Sequence, residues 1–179
     1  MSFSKTIEQP VITTDRFSLR PIQISDVGLM DLYAGDERVA WNTTTIPHPL
    51  PPGTSEAYIK RATVPDRVED VWVMDGAASG LGGMLGVISL IRLDRGQSEV
   101  GYWVVPAFWN GGIASEAVEA LVRANPQACK TIFAAVFQDN PASARVLTHA
   151  GFDYLGDAET YSVARGATVP TWTYLRRLV

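Results

Sequence analysis

Residues 99–117 read Glu99-Val100-Gly101-Tyr102-Trp103-Val104-Val105-Pro106-Ala107-Phe108-Trp109-Asn110-Gly111-Gly112-Ile113-Ala114-Ser115-Glu116-Ala117. This order predicts a strand, a tight turn and a helix in direct succession. Adjacent glycines let the backbone pass close to a ligand, and the unpaired amides at a helix start can bind phosphate without a basic side chain. The alternative is a structural turn that binds nothing.

A second informative stretch lies further along the chain. Residues 131–137 form an apolar run that predicts a buried strand. The pair Asn140-Pro141 then favours a helix start, with Asn as the cap and Pro as the first helical residue. Gly151 is the expected end of that helix.

The rest of the pattern predicts an α+β domain with a mixed, largely antiparallel sheet. We expect further strands over residues 16–20, 71–74, 84–93, 98–105, 152–155 and 171–178, and further helices over 25–34, 54–65 and 112–124. Residues 94–97 predict the turn of a hairpin, because Gly96 allows a positive φ. Residues 41–52 and 160–170 are expected to be loops.

Length and composition favour one globular domain over residues 1–179. Hydrophobic residues make up 46% of the chain and charged residues 19%. Fifteen Lys and Arg against nineteen Asp and Glu give a net charge of −4, and no basic run stands out. A nucleic-acid partner is therefore not expected.

Cysteine, histidine and hydropathy exclude further classes of protein. The single Cys129 cannot form an intrachain disulfide, and two histidines without a ligand pattern predict no metal site. The longest apolar runs, such as residues 84–88, are far shorter than the roughly 20 residues that span a bilayer. The opening residues 1–6 have no apolar signal core. We therefore expect a cytoplasmic protein with no membrane partner.

Both informative stretches resemble the GNAT acetyltransferase superfamily, in particular its branch of ribosomal-protein N-terminal acetyltransferases. The coenzyme A signature of that branch, an aromatic residue, a glycine-rich step and Ala-Thr/Ser-Glu-Ala, matches residues 109–117. Its segment Asn-Pro-x-Ser-x-x-x-Leu-x-x-x-Gly-Phe matches residues 140–152, and residues 13–21 are similar to its first strand. The resemblance covers nearly the whole chain.

The resemblance implies a GNAT fold, a twisted and mostly antiparallel sheet of six or seven strands flanked by about four helices. Two central strands, 99–105 and 131–137, would splay apart to admit the pantetheine arm of acetyl-CoA, and the turn would hold the diphosphate. The implied cofactor-binding residues are Trp103, Val104, Val105, Trp109, Asn110, Gly111, Gly112, Ile113, Ala114, Ser115, Asn140 and Ser143.

One departure from the family pattern concerns charge. Where relatives usually carry Gly and then Arg or Lys, this chain has Asn110 and Gly111. One cationic contact with the phosphates is therefore missing from this turn. Asn tolerates left-handed backbone better than most residues, so the turn itself can be kept.

Direct transfer of an acetyl group to an amine needs a proton acceptor for the amine and a proton donor for the departing thiolate. Glu99 is the candidate acceptor, through water, because it shares a strand face with Gly101 and Trp103; the alternative is an ordinary solvated glutamate. Ser143 is the candidate donor, at the position where relatives place a hydroxyl; the alternative is a serine that bonds local backbone. Asn140 has two readings that are compatible, helix cap and cofactor contact.

Three residues are candidates for the acceptor site: Trp41, His48 and Trp103. The loop that carries His48 borders the acceptor site in relatives, while the alternative for His48 is a surface histidine. We expect an N-acetyltransferase, a monomer or homodimer, that acts on a protein N-terminus or a small-molecule amine and releases coenzyme A. The second hypothesis is a binding module that keeps the acyl-CoA pocket as a sensor.

Overall fold

One mixed sheet forms the centre of the computed structural model, which describes residues 8–178. Its strands are β1 Ile12–Thr13, β2 Ser18–Pro21, β3 Glu69–Gly76, β4 Gly82–Arg92, β5 Gln97–Val104, β6 Thr131–Phe137, β7 Asp153–Ser162 and β8 Ala167–Arg177. The helices are α1 Val27–Ala34, α2 Glu37–Trp41, α3 Thr54–Thr63, α4 Ile113–Ala124 and α5 Pro141–His149. The strand order is β1-β2-β3-β4-β5-β6-β8-β7.

The pairing of β5 with β6 sets the shape of the site. The two strands are parallel and pair at three positions, Gln97 with Thr131, Ser98 with Ile132 and Glu99 with Phe133. Beyond that point β5 continues to pair with β4 as far as Val104. β6 continues to pair with β8 as far as Phe137. Each strand therefore keeps one neighbour while a gap opens between the two.

The sheet separates two hydrophobic cores. The larger packs α4 and α5 against one face, with Leu121 and Leu147 fully buried in it. The smaller packs α1 and α3 against the other face, with Met30 and Ile59 at its centre. Alternate residues of β5 contribute to the two cores, because successive side chains of a strand point to opposite faces.

The predicted α+β fold is confirmed, but two of its counts were too low. Over residues 8–178 the sheet has eight strands rather than six or seven, and five α-helices flank it rather than about four. The extra strand β1 has two residues and the extra helix α2 has five, and such short elements carry no periodic signal. The single-domain boundary stays a prediction.

The prediction of a loop over residues 160–170 was wrong for most of that range. β7 extends to Ser162 and β8 begins at Ala167, so that only the turn between them is irregular. Most residues of β7 are exposed, so its sequence lacks the apolar alternation that marks a half-buried strand. The long hairpin is held by its backbone pairing with β8.

The sequence also predicted that residues 1–6 carry no apolar signal core and that no segment spans a membrane. The opening residues 1–6 lie outside the described residues. Within residues 8–178, none of the helices has the length and the hydropathy that crossing a bilayer requires.

We predict that Gly86→Ala destabilises the fold by about 2 kcal/mol, because overpacking a well-packed contact typically costs that much. A Cβ on Gly86 would lie 2.3 Å from the carbonyl oxygen of Trp103, on the neighbouring strand that borders the gap. Gly83→Ala, on the same strand, is the control, since its Cβ would only meet Leu29 at 3.8 Å. Urea unfolding of the two variants measures the difference, and equal midpoints would contradict the prediction.

Candidate active site

The turn before α4 has the backbone geometry of an anion-binding helix start. Asn110 has φ 63° and Gly112 has φ 76°, so both residues lie in the left-handed region, which Gly and Asn adopt more readily than other residues. The first bond of the helix runs from Glu116 N to Gly112 O at 3.1 Å. The amides of Ile113, Ala114 and Ser115 therefore have no acceptor within the helix.

Trp109 fastens this turn to the end of β5. Its indole Nε1 donates to the Val104 carbonyl at 2.8 Å. The Val105 amide donates to the Leu85 carbonyl at 2.8 Å. The Trp109 ring is 42% exposed, so one of its sides remains available to a ligand.

Glu99 lies where β5 and β6 begin to part, on the sheet face that carries α1 and α3. It occupies the same row of the sheet as Glu69, with Ile91 of β4 between them, which places their Cα atoms roughly 10 Å apart. Burial raises the pKa of Glu99, and repulsion from the Glu69 carboxylate adds to the rise. The Tyr58 hydroxyl donates to Glu69 Oε1 at 3.2 Å and holds that carboxylate in place.

Tyr102 and Ser143 meet on the opposite face of the sheet. The Tyr102 hydroxyl lies 2.8 Å from Ser143 Oγ and either oxygen can donate. The hydroxyl also lies 3.2 Å from the Ser143 carbonyl. Burial raises the pKa of Tyr102 to about 12, so the phenol keeps its proton at neutral pH. A strand residue and a helix residue thus form a hydroxyl pair beside the gap.

Asn140 caps α5, as its sequence position predicted. Its Oδ1 accepts a hydrogen bond from the Ser143 amide at 3.4 Å. The cap fixes the first turn of α5 and with it the position of the Ser143 hydroxyl.

Arg165, in the turn between β7 and β8, forms a bridge above the end of β6. Its guanidinium lies 4.6 Å from the ring centre of Trp41 and 4.5 Å from that of Phe137. It also binds both oxygens of Asp139, at 2.6 and 3.1 Å, and donates to the Trp41 carbonyl at 3.0 Å. Arg165 therefore joins α2 and the β7–β8 turn to the strand that precedes Asn140.

Most of the chain matches one known protein family. The model of the acetyltransferase (GNAT) domain matches residues 16–153, which is most of the chain. The chain belongs to the GNAT acetyltransferase family. That match includes Glu99, the turn before α4 and Ser143.

The relatives of this GNAT acetyltransferase share its fold across several subfamilies. An uncharacterised N-acetyltransferase of Bacillus subtilis (strain 168), YoaA, is 27% identical and covers 92% of this chain and 95% of its own. Among solved structures, the ribosomal-protein-S5-alanine acetyltransferase of Vibrio fischeri has a TM-score of 0.79 at 20% identity, covering 94% of this chain and 97% of its own.

A third relative was solved with the cofactor. The microcin C7 self-immunity acetyltransferase MccE, in complex with acetyl-CoA and AMP, has a TM-score of 0.78 at 15% identity, covering 91% of this chain and 93% of its own. The two solved structures establish the fold and differ in what their names say they act on. The ribosomal-protein branch is therefore not decided by these likenesses.

The predicted site residues of the GNAT acetyltransferase fall into two groups. Those of the turn, the end of β5 and the start of α5 lie around the gap between β5 and β6. Of the three acceptor-site candidates, Trp103 packs beside the smaller core on the Glu99 face, and Trp41 lies against Arg165. His48 is exposed in the loop between α2 and α3.

Sequence reasoning missed three residues that complete this arrangement. Tyr102, Glu69 and Arg165 each meet a partner from another element of the fold, Ser143, Tyr58 and Asp139 respectively. Only the alternation of β5 carried a signal, since it places Tyr102 on the face opposite Glu99. Nothing in the local sequence marks Glu69 or Arg165.

We predict that Glu69→Gln lowers the pKa of Glu99. Removing the neighbouring negative charge relieves the repulsion, while burial still holds the pKa above its usual range. Carboxyl ¹³C NMR of labelled glutamate, followed through a pH titration, measures the change. Glu119→Gln is the control, because Glu119 is exposed on α4 across the sheet. A Glu99 titration that moves equally in both variants would contradict the assignment.

Proposed function

We propose that this chain transfers the acetyl group of acetyl-CoA to a primary amine by direct attack in a ternary complex. One observation carries the proposal. β5 and β6 part after three pairs, with a carboxylate of raised pKa on one face of the gap and a hydroxyl pair on the other. An acceptor and a donor for protons thus lie on opposite sides of the place where a thioester would sit.

The turn before α4 fits the diphosphate of acetyl-CoA. Gly111 and Gly112 are exposed, and a Cβ on Gly111 would approach the Phe108 carbonyl to 3.4 Å. The free amides of the first helical turn offer donors to an anion. Trp103, Val104, Val105, Trp109 and residues 110–115 would hold the cofactor together with Asn140 and Ser143.

The chemistry of transfer divides between two residues of the chain. Acetyl-CoA supplies a thioester, whose C–S bond breaks as the amine nitrogen forms a bond to the acetyl carbon. Glu99 accepts the proton of the ammonium group through water, which makes the amine nucleophilic; its raised pKa suits that exchange. Ser143 donates a proton to the departing thiolate and is reprotonated by the proton that the attacking nitrogen loses as the amide forms. The Tyr102 hydroxyl holds Ser143 Oγ in place through their hydrogen bond.

The acceptor site lies on the Glu99 face, where Gly101 leaves the sheet exposed. Trp103 and Trp41 would line it, with His48 at its outer edge. We propose an amine acceptor, either a protein N-terminus or a small molecule. The ribosomal-protein branch, a cytoplasmic location and a monomeric or homodimeric state stay predictions of the sequence.

A thiol-release assay tests the proposed function. The protein is incubated with acetyl-CoA and a panel of primary amines and N-terminal peptides, and free coenzyme A is measured. We expect release that depends on at least one acceptor. Tight binding of acetyl-CoA without turnover across the panel would favour the sensor hypothesis instead.

We predict that Glu99→Gln and Ser143→Ala each lower kcat by about 100-fold, because a positioned proton-transfer group typically contributes that much or more. KM for acetyl-CoA should change by less than about threefold, since neither change removes the helix-start amides. Steady-state kinetics with the best acceptor gives both values. The controls are Glu119→Gln, on the exposed side of α4, and Ser79→Ala, in the exposed turn between β3 and β4. An unchanged kcat in both test variants would contradict the mechanism.

A further inference from the structure

The turn before α4 carries no basic side chain of its own. Residues 109–115 read Trp-Asn-Gly-Gly-Ile-Ala-Ser, where a cation would otherwise assist the backbone amides. A cation nevertheless lies at this turn, and it comes from nearly 100 residues earlier in the chain. It is Arg16, just before β2.

The Arg16 guanidinium lies directly over the helix start. Its Nη2 is 3.4 Å from the position that a Cβ on Gly112 would occupy. Gly112 is the N-cap of α4, the residue whose φ of 76° turns the following amides outward. The positive charge therefore stands beside the same amides that would receive a phosphate.

Glu116 holds Arg16 in this position. Arg16 Nε donates to Glu116 Oε1 at 3.0 Å, and the Arg16 backbone amide donates to Oε2 at 3.2 Å. Thr14 Oγ1 donates to the same Oε2 at 2.8 Å. Burial opposes the charge of Glu116, but the hydrogen bonds from Thr14 and Arg16 outweigh it and lower its pKa. The carboxylate is thus an ionised anchor with its oxygens already engaged.

The rest of the guanidinium is available to a ligand. A guanidinium has five N–H donors, and Nε uses one of them on Glu116. Among the described residues, Nη1 and Nη2 of Arg16 have no recorded hydrogen bond, and the side chain is 44% exposed. A planar fork of this kind matches two phosphate oxygens at once.

We propose that Arg16 binds the diphosphate of acetyl-CoA, together with the α4 amides, in place of the cation missing at residues 110 and 111. This inference rests on the proposed function. Arg16 also neutralises Glu116, whose carboxylate would otherwise repel an anion at the helix start. A residue of the first β-hairpin thereby becomes part of the cofactor site.

The test measures binding rather than turnover. Isothermal titration compares coenzyme A binding to the wild type, Arg16→Gln, Glu116→Gln and the double variant. We expect Arg16→Gln to weaken binding about tenfold, the scale of a lost charge-assisted contact. Glu116→Gln should bind as tightly as the wild type or more tightly, because it removes a negative charge and its amide oxygen can still accept from Arg16 Nε. The double variant should fall between the two single variants.

A purely structural role for the ion pair predicts a different pattern. Both single variants break the same ion pair, so they would then weaken binding equally and lower the unfolding midpoint equally. That pattern would overturn the inference. Arg16→Lys keeps the positive charge but loses the planar guanidinium, so it should lose less affinity for coenzyme A than Arg16→Gln. This comparison also tests the inference if Arg16→Gln folds poorly.

Coenzyme A lacking its 3′-phosphate identifies the phosphate concerned. Arg16→Gln should lose the same factor for this ligand as for coenzyme A if the contact is with the diphosphate. A loss confined to intact coenzyme A would overturn that assignment. If the wild type binds coenzyme A and Arg16→Gln binds within twofold of it, the inference fails while the proposed function stands. If the wild type binds no coenzyme A, both the inference about Arg16 and the proposed function are contradicted.

Discussion

The separation of β5 from β6 after three residue pairs positions every other group of the site. Buried backbone amides and carbonyls need hydrogen-bond partners, so a sheet rarely opens in its middle without cost. Here β4 pairs with β5 from Ser98 to Val104, and β8 pairs with β6 from Thr131 to Phe137. Only the inner edges lose their partners after Glu99 and Phe133. The gap therefore leaves inner-edge backbone groups of β5 and β6 without partners in the sheet.

Successive side chains of β5 point to opposite faces of the sheet, so the candidate proton-transfer groups lie on both sides of this gap. Odd-numbered residues of β5, from Glu99 to Trp103, face α1 and α3, while Tyr102 faces α5. A carboxylate and a hydroxyl pair consequently stand on opposite faces, although Glu99 and Tyr102 are close in sequence. The helices on each face position the neighbouring groups. Tyr58 of α3 holds the Glu69 carboxylate, and the Asn140 cap of α5 holds Ser143.

Ion pairs connect the two ends of the gap to distant parts of the chain. At the start of α4, Arg16 and Glu116 join the segment before β2 to the helix. At the end of β6, Arg165 lies between two aromatic rings and binds Asp139, whose pKa is lowered chiefly by that contact. Arg16 lies at the start of α4 and Arg165 beside the residues that follow β6, and each is held by a carboxylate from a distant part of the chain. These ion pairs therefore form only when the sheet has brought the distant segments of the chain together.

Residue chemistry within short stretches of the sequence was enough to predict the central strands, the helices α4 and α5, and the family pattern. The positive φ of Asn110 and Gly112, the hairpin turn at Gly96 and the cap of α5 by Asn140 all follow from residue chemistry within a few positions. The length of the β7–β8 hairpin and the partners of Glu99, Ser143 and Gly112 became visible in the folded chain alone. Those contacts join residues dozens of positions apart, and local periodicity carries no information about which distant side chains the sheet brings together.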